Sequence, residues 1–326
     1  MCIRDRSGGD GADRLAGGPG NDALDGGAGI DLADYQAFRD VGLRGLTVEG
    51  AERPGARDRN GARNALFADL LVTTGLRLEE ASFLLAAEIP VGDARAERQR
   101  RVELPAALTK GDRGRTILLP RRLLSAFDAY MAVERASAVS KFTARRGWDA
   151  IERPIFIHRP PLLPTVMHLV GGGTMDMEVV TPDERARFVI CADDGTPCEA
   201  AVLWLTEVGH PALPNSWEAI FARASRRCAD AGIPVRVSPH QLRHSFAVHM
   251  LAMLIQRRLA EAAAPAGAME GYRQLLGDPL QQVQRLLGHS SLSTTSIYLD
   301  HLATRADTVD AAVEELLARV PGYLPA

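Results

Sequence analysis

The chain has 326 residues, 46% of them hydrophobic and 24% charged, with a formal net charge of −3. That suffices for one large or two modest cores, and no window approaches the roughly 18 apolar residues a membrane-spanning helix needs. The slightly acidic balance excludes a uniformly basic nucleic-acid binder. The charge is uneven, however. Removing the 4 Arg and 8 Asp of residues 1–40 from the 38 basic and 41 acidic residues leaves 34 against 33, so any nucleic-acid contact must use local patches. Candidates are Arg95 to Arg101, Lys110 to Arg115, the Arg pairs at 121–122 and 145–146, and Arg223 to Arg227.

The start, MCIRDRSGGD, has no apolar h-region and is not a secretory signal. The four cysteines, Cys2, Cys191, Cys198 and Cys228, form no CxxC pair. These features predict a cytoplasmic protein with reduced thiols. Residues 8–34 are three tandem nonapeptides, GGDGADRLA, GGPGNDALD and GGAGIDLAD. The pattern resembles the repeats-in-toxin calcium-binding family. Paired glycines permit tight turns, and Asp13, Asp22 and Asp31 offer hard oxygens to Ca²⁺. A Gly/Asp-rich flexible tail is the plainer reading, since three repeats are a marginal stack.

RNALFADLLVTTG, 63–75, predicts a helix with Leu66, Leu70 and Leu71 on one face and Gly75 as its left-handed stop. A second helix follows over about 78–85. RVELPAALTKGDRGRTILLP reads as strand, turn at Lys110-Gly111, and strand over 116–119. A helix is expected over 121–139. Residues 141–213 look irregular, with two strands, ARFVICA and AAVLWLT, joined around DDGTP. Cys191 and Cys198 could face each other there, or stay as buried thiols. Asn215 or Ser216 is expected to cap a helix to Ala231. Ser238 at the N-cap and Pro239 at N1 open the next. Short helices are expected over 279–287 and 292–302, and a last one over 308–320. Trp204, Trp217 and Phe221 are read as core.

Four fragments in order carry a resemblance: TGLRLEE, HQLRHSF, LLGH, and Tyr298 nine residues after His289. Together they resemble the catalytic domain of the tyrosine recombinases, the phage-integrase family, from about residue 40 onward. The resemblance implies an α+β, mainly α domain with a small antiparallel sheet. It also implies breakage and rejoining of double-stranded DNA through a 3′-phosphotyrosine, with no metal or nucleotide cofactor. The partners it implies are DNA and further copies of the chain, as a tetramer on DNA. Type IB topoisomerases and telomere resolvases share this site.

The residue types suit the chemistry. A phenol can act as covalent nucleophile, and Tyr298 takes that role by the resemblance. Arg77 and Arg243 match the family's two arginines. A guanidinium is permanently charged and grips two phosphate oxygens in a planar fork. His240, three residues before Arg243 and so on the same helix face, matches a phosphate-contacting histidine that helps take the tyrosine proton. His289 matches a phosphoryl-oxygen donor. Lys110, one of only two lysines beside Lys141, matches the acid for the leaving 5′-oxygen. Glu80 matches a carboxylate that orients the site. Taken singly, Tyr298, Arg77, Arg243 and Lys110 read as ordinary helix or turn residues, and for Glu80 the two readings balance. The His240 and His244 pair also spells HxxxH, but Gln241 stands where a zinc protease needs Glu.

The expected organisation is a non-native-looking leader at 1–7, repeats at 8–35, and a catalytic domain at 36–326 with an insertion at 141–213. Too few residues precede the 63–75 helix for the family's usual N-terminal clamp domain. Residues 1–35 are therefore read as a fusion or assembly chimera on a truncated recombinase. A non-cutting recombinase-derived DNA-binding protein and a calcium-binding repeat module with an inactive passenger are the competing readings.

Overall fold

The computed structural model describes residues 30, 32–52, 60–90, 99–110, 113–262 and 279–302. The repeats with Asp13, Asp22 and Asp31, and the helix expected over 308–320, lie outside the described residues.

The main core surrounds α2 (Gly61–Thr74), in which Leu66, Phe67, Leu70 and Leu71 are buried. α1 (Leu32–Ala37) runs into a wide π-type turn, Phe38–Leu43, that packs against α7 (Pro214–Asp230). Phe67 stacks on Trp217 with ring centroids 3.6 Å apart and meets Trp204 edge-on. The expectation that Trp204, Trp217 and Phe221 are core residues holds. Each such fully buried aromatic stabilises the fold by about 1.5–3 kcal/mol through its burial. A two-stranded antiparallel sheet, β1 (Gln99–Leu104) and β2 (Arg115–Pro120), covers one side of this core; its register runs from Gln99 opposite Pro120 to Leu104 opposite Arg115. The expected strand-turn-strand element is present, with Lys110 in its turn. α3 (Leu78–Ser82) is shorter than expected, ending before Phe83.

The helix expected over 121–139 is α4 (Arg121–Tyr130), a π-type stretch Met131–Arg135, and α5 (Ala136–Ala144) in continuous succession. Residues 141–213 are more ordered than their Pro- and Gly-rich sequence suggests. They form a mixed sheet in the order β3 (Ile155–His158), β6 (Phe188–Cys191), β7 (Pro197–Ala200). β3 pairs parallel with β6, and β6 antiparallel with β7. A hairpin of β4 (Val166–His168) and β5 (Thr174–Asp176), and α6 (Pro182–Arg187), complete it. The second strand therefore lies earlier than expected, and Val202 and Leu205 make only isolated bridges. Pro197 lacks an N–H and sits at the edge strand, where that is tolerated. Cys191 is buried and Cys198 half-buried, both free thiols.

This region has a core of its own, including Ile157, Met167, Phe188 and Val189. Two buried ion pairs tie it to the main body: Arg185 to Glu88 at 2.8 Å, and Arg135 to Glu199 at 2.6 Å. Arg135 also donates to the Ala200 and Val202 carbonyls.

α7 starts at Pro214 with Leu213 as N-cap and no side-chain cap, which corrects the expected Asn215 or Ser216 cap: proline's fixed φ already suits the first helical position. α8 (Pro239–Ala262) opens as expected. Ser238 Oγ accepts from Gln241 N, and Gln241 Oε1 accepts from Ser238 N, a reciprocal cap. α8 packs on α2 and carries a third cluster with α9 (279–287) and α10 (Leu292–Leu302). No described helix is long and apolar enough to cross a membrane.

Candidate active site

The α2–α3 turn, the β1–β2 turn, α8, the end of α9 and α10 together line one open cleft of about 1180 Å³, which includes Arg77, Lys110, His240, Arg243, His244, His289 and Tyr298. Each is placed by a local device. α2 ends at Gly75, with φ 64° and its N–H bonded to Leu71 O. A side chain at 75 would need left-handed backbone and would bring its Cβ within 2.4 Å of the Phe246 ring. The chain thus reverses beside α8 and delivers Arg77 as the N-cap of α3.

Glu80, 1% exposed, is the hub. It accepts from the Arg77 backbone N at 2.8 Å and from Arg77 Nη1 at 2.7 Å. Its Oε2 also accepts from Arg115 Nη2 at 2.5 Å and lies 4.0 Å from Arg243 Nη1. Burial alone would raise this carboxyl, but the Arg115 charge, the backbone bond from Arg77 and the charges of Arg77 and Arg243 hold it below the usual carboxylate range. Arg243, 6% exposed, donates to Gly75 O at 2.5 Å and to Leu287 O at 2.7 Å. Burial, with Arg77 and Arg115 beside it, pushes Arg243 down to about 9, which leaves it charged at neutral pH. Three guanidinium groups around one carboxylate make an electropositive pocket fitted to an anion.

His289 enters through the end of α9. Gly288, φ 65°, bonds its N–H to Arg285 O, and His289 N bonds to Gln284 O. This paired arrangement closes a helix through a left-handed residue. His289 Nδ1 lies 3.0 Å from Oγ1 of the fully buried Thr295. Burial, then the Arg243, Arg77 and Arg115 charges, lower its pKa to about 4, so the imidazole is neutral near pH 7. The donor of this bond follows the imidazole tautomer: in the tautomer where the Thr295 hydroxyl donates to Nδ1, Nε2 of His289 carries the hydrogen.

Tyr298, on α10, is 5% exposed. Its ring stacks on His289 at a centroid distance of 6.1 Å and meets His244 at 5.0 Å. Burial raises the phenol pKa, and the Arg243 and Arg77 charges counter part of that rise. The phenol is therefore neutral at rest, with both guanidinium groups close enough to favour its anion. His240 and Lys110 are exposed on the cleft wall, His240 in the first turn of α8.

All six residues singled out for the chemistry, with Glu80, are thus brought together. Two neighbours were not foreseen. His244, noted in the sequence only for its HxxxH spacing with His240, lies against the Tyr298 ring. Arg115, read within the basic run Lys110 to Arg115 as part of a candidate nucleic-acid patch, is instead 8% exposed, bonded to Glu80 and to Leu286 O. A signal for it existed: Arg115, Ile117 and Leu119 alternate, and all three are buried on one face of β2.

The sequence matches the phage integrase family over residues 51–263. The chain belongs to the phage integrase family. It is 39% identical to the tyrosine recombinase XerC of Shewanella oneidensis over 111 residues, which are 33% of this chain and 28% of the relative. It is 33% identical to XerC of Ralstonia pickettii over 135 residues, 40% of this chain and 33% of the relative. It is 42% identical to XerD of Xanthomonas axonopodis pv. citri over 86 residues, 26% of this chain and 21% of the relative. The matched stretch thus spans a third or less of these relatives. Among solved structures, the chain is similar to XerH site-specific recombinase bound to a palindromic difH substrate. That match has a TM-score of 0.46 at 16% identity, covering 88% of this chain and 53% of that one. It is also similar to the Tn1549 transposon integrase in complex with a circular intermediate DNA. Here the TM-score is 0.44 at 15% identity, with 88% and 65% covered.

Proposed function

We propose that this chain breaks and rejoins double-stranded DNA by transesterification, as a site-specific recombinase or integrase. One observation carries the reading: a near-buried tyrosine sits within the field of two guanidinium groups in an open cleft that also holds a lysine and three histidines.

Arg77 and Arg243 would bind the non-bridging oxygens of one phosphodiester, and His289 would donate to one of them through Nε2. Donors fixed where charge develops are usually the largest catalytic contribution. Tyr298 Oη attacks phosphorus as its proton leaves. His240, on the cleft wall, is the acceptor we assign. The bond from phosphorus to the 5′-oxygen breaks, and Lys110 supplies that oxygen with a proton. The product is a 3′-phosphotyrosine and a free 5′-hydroxyl. Reversal by another strand's 5′-hydroxyl rejoins DNA, since one ester replaces another. Glu80 holds the arginines in register without touching the phosphate.

The relatives named as tyrosine recombinases support DNA as the partner of this chain. We take the working form to be a tetramer on DNA, acting in the cytoplasm. Ca²⁺ binding by Asp13, Asp22 and Asp31 is a separate proposal, read by calcium titration of a peptide spanning 8–35. For the main reading, a duplex nicked next to the cleavage point traps the intermediate. We expect a covalent protein–DNA adduct with the wild-type chain and none with Tyr298→Phe. An equal yield from Tyr298→Phe would remove the proposal.

A further inference from the structure

We propose that Arg115 is a positioning residue: a latch that holds the segment bearing His289 and Tyr298 against the arginine pocket. The inference rests on the proposed strand-transfer reading for its catalytic consequence, but not for its structural one.

The sequence around the site is discontinuous. Arg77, Glu80 and Lys110 come from the first half of the chain, whereas His289 and Tyr298 follow α9, more than 170 residues further on. Two side chains reach from the body of the protein to the end of α9. Arg243 Nη2 donates to Leu287 O, and Arg115 Nη1 donates to Leu286 O. These are among the last carbonyls of the helix, which have no partner within it and sit at the negative end of its dipole. Cations belong there. Arg243 already has the role of gripping phosphate. Arg115 does not line the cleft. Its other arm, Nη2, bonds Glu80, the same carboxylate that orients Arg77. One planar fork therefore joins the two halves of the site.

Packing around the fork is close. A Cβ at Gly288 would come within 2.8 Å of Arg115 Cδ and 3.3 Å of Nε. The stem of Arg115 thus lies directly beneath the turn that launches His289. Arg115 Nε is buried without a hydrogen-bond partner. An uncompensated buried donor is unfavourable, and the two bonds on the terminal nitrogens are what hold the group there. The Arg115 charge also lowers the His289 and Arg243 pKa values, so it sets the field of the pocket from behind. Lysine cannot reproduce the arrangement, because a point charge on a flexible stem lacks the rigid fork that spans both acceptors.

Two readouts on the full chain test the latch. The first needs no DNA: amide hydrogen exchange of peptides covering 284–292, compared with those covering α2. In Arg115→Ala, the Gly288 and His289 amides should exchange roughly five-fold faster or more, as for loss of about one hydrogen bond, while α2 stays protected. The second is single-turnover adduct formation on the nicked duplex, with duplex affinity measured in parallel. Adduct formation should slow on the order of 10²-fold, the effect of a small misplacement of reacting groups, with affinity little changed. Should the alanine variant unfold, Arg115→Lys retains a cation beside Glu80 and is expected to show both changes. Wild-type exchange at 288 and 289 in a folded Arg115 variant would overturn the latch. So would faster exchange with an unchanged adduct rate. If the wild-type chain itself forms no adduct, the strand-transfer reading fails, and the exchange of Gly288 and His289 alone decides whether the latch exists.

Discussion

Replacing Glu80 by glutamine removes one charge and little volume from the hub of the site. The carboxylate is 1% exposed and accepts from Arg77 twice and from Arg115 once, with Arg243 4.0 Å away. Glutamine offers a single acceptor oxygen and turns an NH₂ toward guanidinium donors. With that oxygen in the place of Oε2, the bonds from Arg77 N and Arg115 Nη2 can survive and the one from Arg77 Nη1 cannot, while the mutual repulsion of three guanidinium groups goes uncompensated. Removing one partner of a buried ion pair destabilises by about 3–5 kcal/mol, which is the loss expected at neutral pH. Its pH dependence has a definite sign. The folded carboxyl is held below the ordinary value, so its contribution is complete above the unfolded pKa of about 4.3 and is lost as pH falls through the lower folded value. The gap between wild type and Glu80→Gln should therefore narrow in acid. Urea unfolding at a series of pH values from neutral to about 3 measures it. A neutral-pH loss below about 1 kcal/mol, the range of an exposed pair, or a gap that stays constant into acid, would refute the hub.

Arg77→Ala and Arg243→Ala should each slow adduct formation by about 10²–10³, the effect of deleting one preorganised donor, and single-turnover rates with saturating protein read this directly. Because His289 is held near 4, below its ordinary value of about 6.5, the unfolded chain binds more protons than the folded one between those values. Stability should thus rise with pH through that window, and His289→Gln should lose that part of the rise in the same unfolding series. Duplex binding should weaken linearly in a log–log plot against salt, as phosphate contacts require, and filter or fluorescence titrations at several salt concentrations measure the slope.

Much of this site was legible because its residues are marked by local punctuation. Gly75 and Gly288 end helices in left-handed backbone, Ser238-Pro239 opens one, and each lies within a few residues of an active-site side chain. Such signals depend only on neighbouring residues, so the sequence carries them openly. Arg115, Arg135 and Arg185 show the limit. Each is a buried arginine whose partner is 35, 64 or 97 residues away, and nothing in its neighbouring residues names that partner. The parallel pairing of β3 with β6 is equally non-local, which is why residues 141–213 read as irregular. Alternation along β2 was the one local sign that Arg115 points inward, and a lone charged residue at a strand end masks it.

The central claim is that the hydroxyl of residue 298 becomes the point of attachment to DNA. Nuclease trimming of the trapped adduct, followed by peptide fragmentation in a mass spectrometer, locates the residual nucleotide. It is expected on Tyr298, through a phosphate ester. A nucleotide on a neighbouring hydroxyl such as Ser296 or Thr294, or on any residue outside the cleft, would contradict it.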